Sequence, residues 1–323
     1  MTRAIAAAVV VLLAMLPGAA AAQSAAGGAE TGRTPWGDPD LQGFWTNKTT
    51  TPMERPSEYE GRASLTDEER AELDARAASF RDRRPPPGST GAYNSFWVER
   101  GTRSSQTSLV VDPPDGQLPE LPARVRERDA HVAASRNAAP DNYTDLNLYD
   151  RCITRGLPGA MIPGFYNHNY QILQTPDHVV ILVEMIHDAR IIPLEGRSHG
   201  PSGVGQWLGN SRARWEGDTL VVETSGFSPK HDERAVSNGL YLVHASGAQL
   251  QLVERFTRVD ADTIDYRFTV NDPQTYRQPW TASTPMSRID GPLFEYACHE
   301  GNYGLENILR GARNAEKAEA ASK

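Results

Sequence analysis

The chain is poor in cysteine, has no long apolar run after its first two dozen residues and concentrates positive charge nowhere. Each lack removes a class of function. Two cysteines among 323 residues leave no CxxC, and the eight histidines form no HxH or HExxH, so no metal-binding motif is present. His168, His187, His199, His299 and Glu300 could supply scattered ligands, which keeps a metal ion open beside the cofactor-free reading. No glycine-rich phosphate loop follows a strand pattern, and Ser202 in GPSGVG lacks the strand–turn–helix setting of a nucleophile elbow, which argues against nucleotide binding and serine hydrolysis. With 33 basic against 41 acidic residues, a net charge of −8 and no basic stretch interleaved with aromatics, nucleic acid is not an expected partner. No segment beyond the N-terminus approaches the roughly 20 apolar residues of a membrane-spanning helix.

What is present begins with an export signal. Arg3 supplies a positive n-region, Ala4 to Leu16 an apolar run, Pro17-Gly18 a break and Ala20-Ala21-Ala22 a small-residue cleavage site. Residues 1–22 are therefore expected to be a signal peptide, and the destination to be the periplasm or the medium. No cysteine follows the run, which argues against a lipoprotein anchor. In an oxidising compartment Cys152 and Cys298 are expected to form a disulfide. It would close a loop of about 145 residues, worth up to about 5 kcal/mol in the chain-entropy model.

Residues 23–34 read as a disordered leader, 35–304 as one β-rich domain and 305–323 as a C-terminal helix or tail. Trp36 to Trp45 reads as an irregular segment pinned down by aromatic anchors. Residues 65–84 predict a helix, with Thr66 and Glu69 as a capping box, Arg81, Arg83 and Arg84 in its last turn and Pro85 to stop it. A second helix is expected over 122–137. From about residue 170 the hydrophobic period becomes 2, and Gln171–Leu173, His178–Met185, Arg190–Leu194, Ser211–Glu216, Thr219–Phe227, Leu250–Val259, Thr263–Val270 and Leu293–Cys298 read as strands. Gly217-Asp218 and Asp260-Ala261-Asp262 mark two hairpins. The fold class is mainly β: an antiparallel meander or barrel-like, lipocalin-like core, with Ser108–Val111 at its edge and the helical and Pro-rich N-terminal half as cover.

Eight segments carry a resemblance: PWGDPDLQGFW at 35–45, YNSFW at 93–97, SLVVDPPDG at 108–116, DRCITRGLP at 150–158, EMIHDARIIPL at 184–194, RWEGDTLVVET at 214–224, LVERFTRVDADTIDY at 252–266 and YACHEGNY at 296–303. Together they resemble a large family of exported bacterial proteins. The resemblance implies export and one continuous domain. It brings no reaction and no catalytic residue with it.

Chemistry has four candidate homes. Glu254 shares a strand face with Leu250, Leu252 and Phe256, so it is either half of a buried ion pair with an arginine or a pocket group. Tyr166-Asn167-His168-Asn169-Tyr170 enters the sheet from a Gly/Pro-rich loop. There His168 could act as base or ligand and Tyr166 as acid or oxyanion donor, with Asn169 and Tyr170 touching substrate. Glu184 interrupts an apolar strand and is expected to face inward with Leu182 and Ile186. His187 and Asp188 follow it at a turn, where a histidine beside an acid suits a general base, and Arg190 could hold an anion; the same residues also make ordinary turns. Finally, the disulfide would carry His299 and Glu300 towards Arg155, with Tyr303 offering a hydroxyl. One pocket built from 150–170, 184–190 and 295–303 is expected. Three functions fit it: an enzyme using cofactor-free acid–base chemistry on a small, partly hydrophobic or aromatic molecule (lyase, isomerase or hydrolase), a lipocalin-like binding protein without turnover, and a structural envelope protein. The oligomeric state is not legible in the sequence.

Overall fold

The computed structural model describes residues 32–78, 95–99, 101–137, 139–164, 166–194, 204–230 and 247–322. The expected signal peptide, most of the expected leader, His199, Ser202 and the end of the first expected helix lie outside the described residues. Among the described residues eleven strands form one antiparallel sheet: β1 Gly43–Thr46, β2 Val110–Asp112, β3 Asn169–Gln174, β4 His178–Val183, β5 Ala189–Pro193, β6 Asn210–Glu216, β7 Thr219–Ser225, β8 Gln251–Arg258, β9 Thr263–Asn271, β10 Trp280–Ser283 and β11 Met286–Arg288. Their order is β5-β4-β3-β1-β11-β9-β8-β7-β6, with β10 extending from β9 and carrying β2 on its far edge. The two ends of this path meet where Leu194, just past β5, bridges Ala213 of β6, so the sheet curls into a nearly closed barrel.

Period-2 alternation decides which side chains fill it. Tyr170 and Ile172 of β3, Val179, Ile181 and Val183 of β4, Leu252, Glu254 and Phe256 of β8, and Ile264, Tyr266, Phe268 and Val270 of β9 are all buried. Aromatic rings run through this interior, with Phe256 stacked on Tyr266 at 4.6 Å and Phe268 edge-on to Trp280 at 5.7 Å. Turns are drawn tight by the residues the sequence singles out. Gly217 takes φ +62 between β6 and β7, which only glycine adopts without strain, and Asp260 Oδ1 accepts from the Asp262 amide at 2.8 Å between β8 and β9.

Three sequence readings need correction. The Trp36–Trp45 segment is irregular only at its start: Gly43–Thr46 is β1, in the middle of the sheet between β3 and β11. Trp45 points into the core at 0 % exposure, and the Arg258 and Arg288 guanidiniums lie 5.8 and 4.6 Å from its ring. Leu293–Cys298 forms no strand; residues 289–298 leave β11 as an irregular strap outside the barrel. The inward face of β4 is Val179, Ile181 and Val183, which turns Leu182 outward. The turn-forming proline and serine residues around β10 and β11 hide both strands from a periodicity argument.

Helix α1 runs over Asp67–Ala78. The Thr66 amide donates to Glu69 Oε2 at 2.8 Å, and the Glu69 amide donates to Thr66 Oγ1 at 3.2 Å, the reciprocal pair of a capping box. None of its residues is buried. Helix α2 spans Pro122–Asn137 and α3 Tyr303–Ala321. Among the described residues no helix is long and apolar enough to cross a membrane.

Candidate functional site

The Cys152–Cys298 disulfide is present, with Cα atoms 5.7 Å apart, and it ties the loop before β3 to the strap outside the barrel. This tether brings residues from 149–169, 184–188 and 292–298 together at one rim. Two sites result: an open groove on the outer face, and a buried polar cluster behind it.

The groove encloses about 430 Å³ and is lined by Phe44, Gln171, Leu182, Val183, Glu184, His187, Pro292, Leu293, Phe294 and Glu295. One wall is the outward face of β1, β3 and β4; the other is the strap. Glu184 directly follows β4 and is 3 % exposed. Its Oε2 accepts from Asn169 Nδ2 at 2.7 Å and its Oε1 from the Phe294 amide at 3.1 Å, so the carboxylate fastens the strap to the sheet. Because Leu182 and Glu184 share the outward face, Glu184 points into the groove and not into the barrel. It is buried because the strap covers it.

His187 stands at the groove's rim. Ile186 and His187 hold φ of +64° and +50°, left-handed conformations that cost a non-glycine residue on the order of 1–3 kcal/mol and gather at functional sites. Ile186 is buried and anchors the turn, while the His187 side chain is exposed. His187 Nδ1 lies 2.8 Å from the Tyr296 carbonyl, an acceptor only, so Nδ1 carries the proton and Nε2 is left as the basic nitrogen. The group that orients the imidazole is a backbone carbonyl, where the sequence suggested a neighbouring acid. Asp188 instead accepts from Thr154 Oγ1 at 3.0 Å, and burial raises its carboxyl above the ordinary range against the pull of that bond and of His187.

The buried cluster centres on Arg155 and His168, which are 8 % and 2 % exposed. His168 Nδ1 donates to the Ile162 carbonyl at 2.9 Å, and Nε2 accepts from Arg155 Nη1. Burial, then the adjacent guanidinium, push the imidazole well below its usual range. His168 is thus a neutral ring with both nitrogens engaged, and its lone pair supports Arg155 where the sequence suggested a base for substrate. The ring packs against Gly164, where an added Cβ would lie 1.8 Å from Nε2. Arg155 also lies over the Tyr149 ring at 5.1 Å, and Tyr149 and Tyr166 share a hydroxyl hydrogen bond at 3.2 Å.

Other sequence-chosen residues fall elsewhere. Arg190, read as a substrate clamp, crosses the barrel interior from β5 to β8 and pairs with Glu254. Its Nη1 donates to Oε1 at 2.9 Å, its Nη2 bonds Oε2, and Tyr266 adds a hydroxyl to Oε1 at 2.9 Å. With side-chain exposures of 1 % and 0 % this pair is sealed in the core. Tyr170 is fully buried beside it, donating to Asn47 Oδ1 at 3.2 Å. His299 and Glu300 are exposed in the turn after Cys298, and Tyr303 opens α3 at 69 % exposure; none of the three lines the groove. Sequence reasoning missed Tyr149, Thr154, Phe294 and Tyr296. The first two lie a few residues to either side of Cys152 and the last two just before Cys298, so proximity to the two cysteines was the signal. Among the described residues no three His, Cys, Asp or Glu side chains stand together as a metal site. Fold and site define an antiparallel β-barrel with a strap-covered groove and an exposed histidine on its rim. No family model, curated protein or solved structure matches the chain.

Proposed function

We infer that the protein is exported and acts on a small, partly hydrophobic or aromatic molecule in the groove by cofactor-free proton transfer, as a lyase, isomerase or hydrolase. The observation that carries this reading is His187: a strained rim residue whose Nδ1 is held by the Tyr296 carbonyl, which leaves Nε2 to take a proton from a bound molecule. Glu184 shares the same groove, and the apolar surfaces of Phe44, Leu182, Leu293 and Phe294 suit a hydrophobic or aromatic body. A volume of about 430 Å³ is in the range of small-molecule sites. The signal-like N-terminus and the disulfide together favour the periplasm or the medium.

A lipocalin-like binding protein without turnover is the second reading. It is favoured by Glu184, whose two oxygens already hold the strap in place. A nuclear magnetic resonance screen with small aromatic esters, ketones and alcohols as probes tests both. Shifts centred on Gln171, Leu182, His187 and Phe294, with product appearing in wild type and not in His187→Gln, support the enzyme. The same shifts with no product under any probe favour the binding protein, and shifts clustered elsewhere sink both.

A further inference from the structure

We propose that Arg155 is the anchor of a carboxylate-binding subsite behind the groove, closed by the hydroxyls of Tyr149 and Tyr166. This subsite is separate from the groove and does not need His187 to be a base.

A buried guanidinium is ordinarily paired with a carboxylate, because taking its charge out of water costs several kcal/mol. The molecule follows this rule at Arg190, which has Glu254. At Arg155 it does not. Among the described residues no carboxylate lies within ion-pair distance of Arg155, and its nearest polar neighbour is the neutral ring of His168. Burial lowers its proton affinity, and the charges that oppose this belong to phenols, Tyr149 first, then Tyr170, Tyr166 and Tyr296. Nη1 is engaged by His168, and Nε is buried with no acceptor. The Nε–Nη2 edge is therefore what remains, and that edge matches the two oxygens of a carboxylate.

The hydroxyls point to the same ligand. The Tyr149 hydroxyl has two neighbours, the Tyr166 oxygen at 3.2 Å and the Met185 sulfur at 3.6 Å. A thioether is a weak acceptor, so a carboxylate oxygen would be a better partner for that proton. His168 holds the fork in place from one side and the Tyr149 ring supports its face at 5.1 Å. One guanidinium offsets one negative charge, which selects a monocarboxylate over a phosphate dianion.

The test is binding of benzoate and acetate to the purified protein, with benzamide and acetamide as uncharged matches, read by calorimetry and by thermal shift at constant ionic strength. The expected result is saturable binding of the carboxylates, at least tenfold weaker binding of the amides, loss of carboxylate binding in Arg155→Met and weakening by about tenfold in Tyr149→Phe, which loses one hydrogen bond to a charged group. His187→Gln should bind benzoate as wild type does, so that failure of this subsite and failure of the groove reading are told apart. Equal binding of benzoate and benzamide, or no carboxylate binding at millimolar concentration, overturns the proposal. So does unchanged binding in Arg155→Met; if that variant does not fold, Tyr149→Phe and the amide comparison decide.

Discussion

Glu254→Gln changes one charge in the middle of the barrel and little else. The amide side chain would occupy nearly the same volume as the carboxylate and would still offer Tyr266 an acceptor. What disappears is the counter-charge of Arg190, whose side chain is 1 % exposed and cannot reach water. In the native protein burial works against the Arg190 charge, but the charge and hydrogen bonds of Glu254 outweigh it and raise the proton affinity of the guanidinium. Breaking a buried pair from one side typically costs about 3–5 kcal/mol, which lowers the melting temperature of a domain of this size by roughly 6–20 °C. Replacing both partners with apolar groups, Arg190→Met with Glu254→Leu, removes the orphaned charge as well and should return stability to within about 2 kcal/mol of wild type. Urea denaturation of wild type, the single variant and the double variant measures both numbers. If Glu254→Gln unfolds at the wild-type midpoint, or if the double variant is no better than the single, the pair does not hold β5 and β8 across the interior as described.

Two further outcomes follow from the geometry. His168 is held neutral in the folded state while the unfolded chain takes up a proton near pH 6.5. The unfolded state then binds more protons, so stability present above about pH 6.5 is lost as pH falls, by up to about 1.4 kcal/mol per pH unit until the folded ring itself protonates. Denaturation midpoints measured from pH 7.5 to 5 should show this slope in wild type and a flatter one in His168→Gln; equal slopes would mean that His168 does not supply it. Reducing the Cys152–Cys298 bridge frees the strap and reopens a loop of about 145 residues, with a loss of up to about 5 kcal/mol; a melting curve that ignores the reductant would contradict that role.

The strands that alternate cleanly were legible. In β8 and β9 the buried face, Glu254 included, follows from period 2 alone; that Glu254 is half of an ion pair and not a pocket group is decided by Arg190 across the barrel. Both hairpin turns and the capping box of α1 follow from equally local signals, and the disulfide from an even cysteine count behind an export-like N-terminus. β1 was hidden because Gly43 and the turn formers before it mask a four-residue strand, and its place in the sheet is set by distant partners, β3 and β11. The candidate site was legible as three converging segments but not as chemistry. Which residues face the groove depends on the strap, and the strap has no periodicity to read. For this reason strand alternation and an apolar setting put Glu184 on the wrong face, and nothing local reveals that the partner of Arg190 lies across the barrel. Arg155 was noticed only for its nearness to Cys152; that no described carboxylate stands beside it appears only in three dimensions.

The most direct test of the account is deuterium wash-in. Small aryl ketones and arylacetate esters incubated with the protein in D2O report carbon-bound proton abstraction by loss of their nuclear magnetic resonance signals, whatever the natural substrate is. The account predicts exchange catalysed by wild type and lowered by about 100-fold or more in His187→Gln, with the two proteins melting within a few degrees of each other. Exchange at the same rate in both would contradict it.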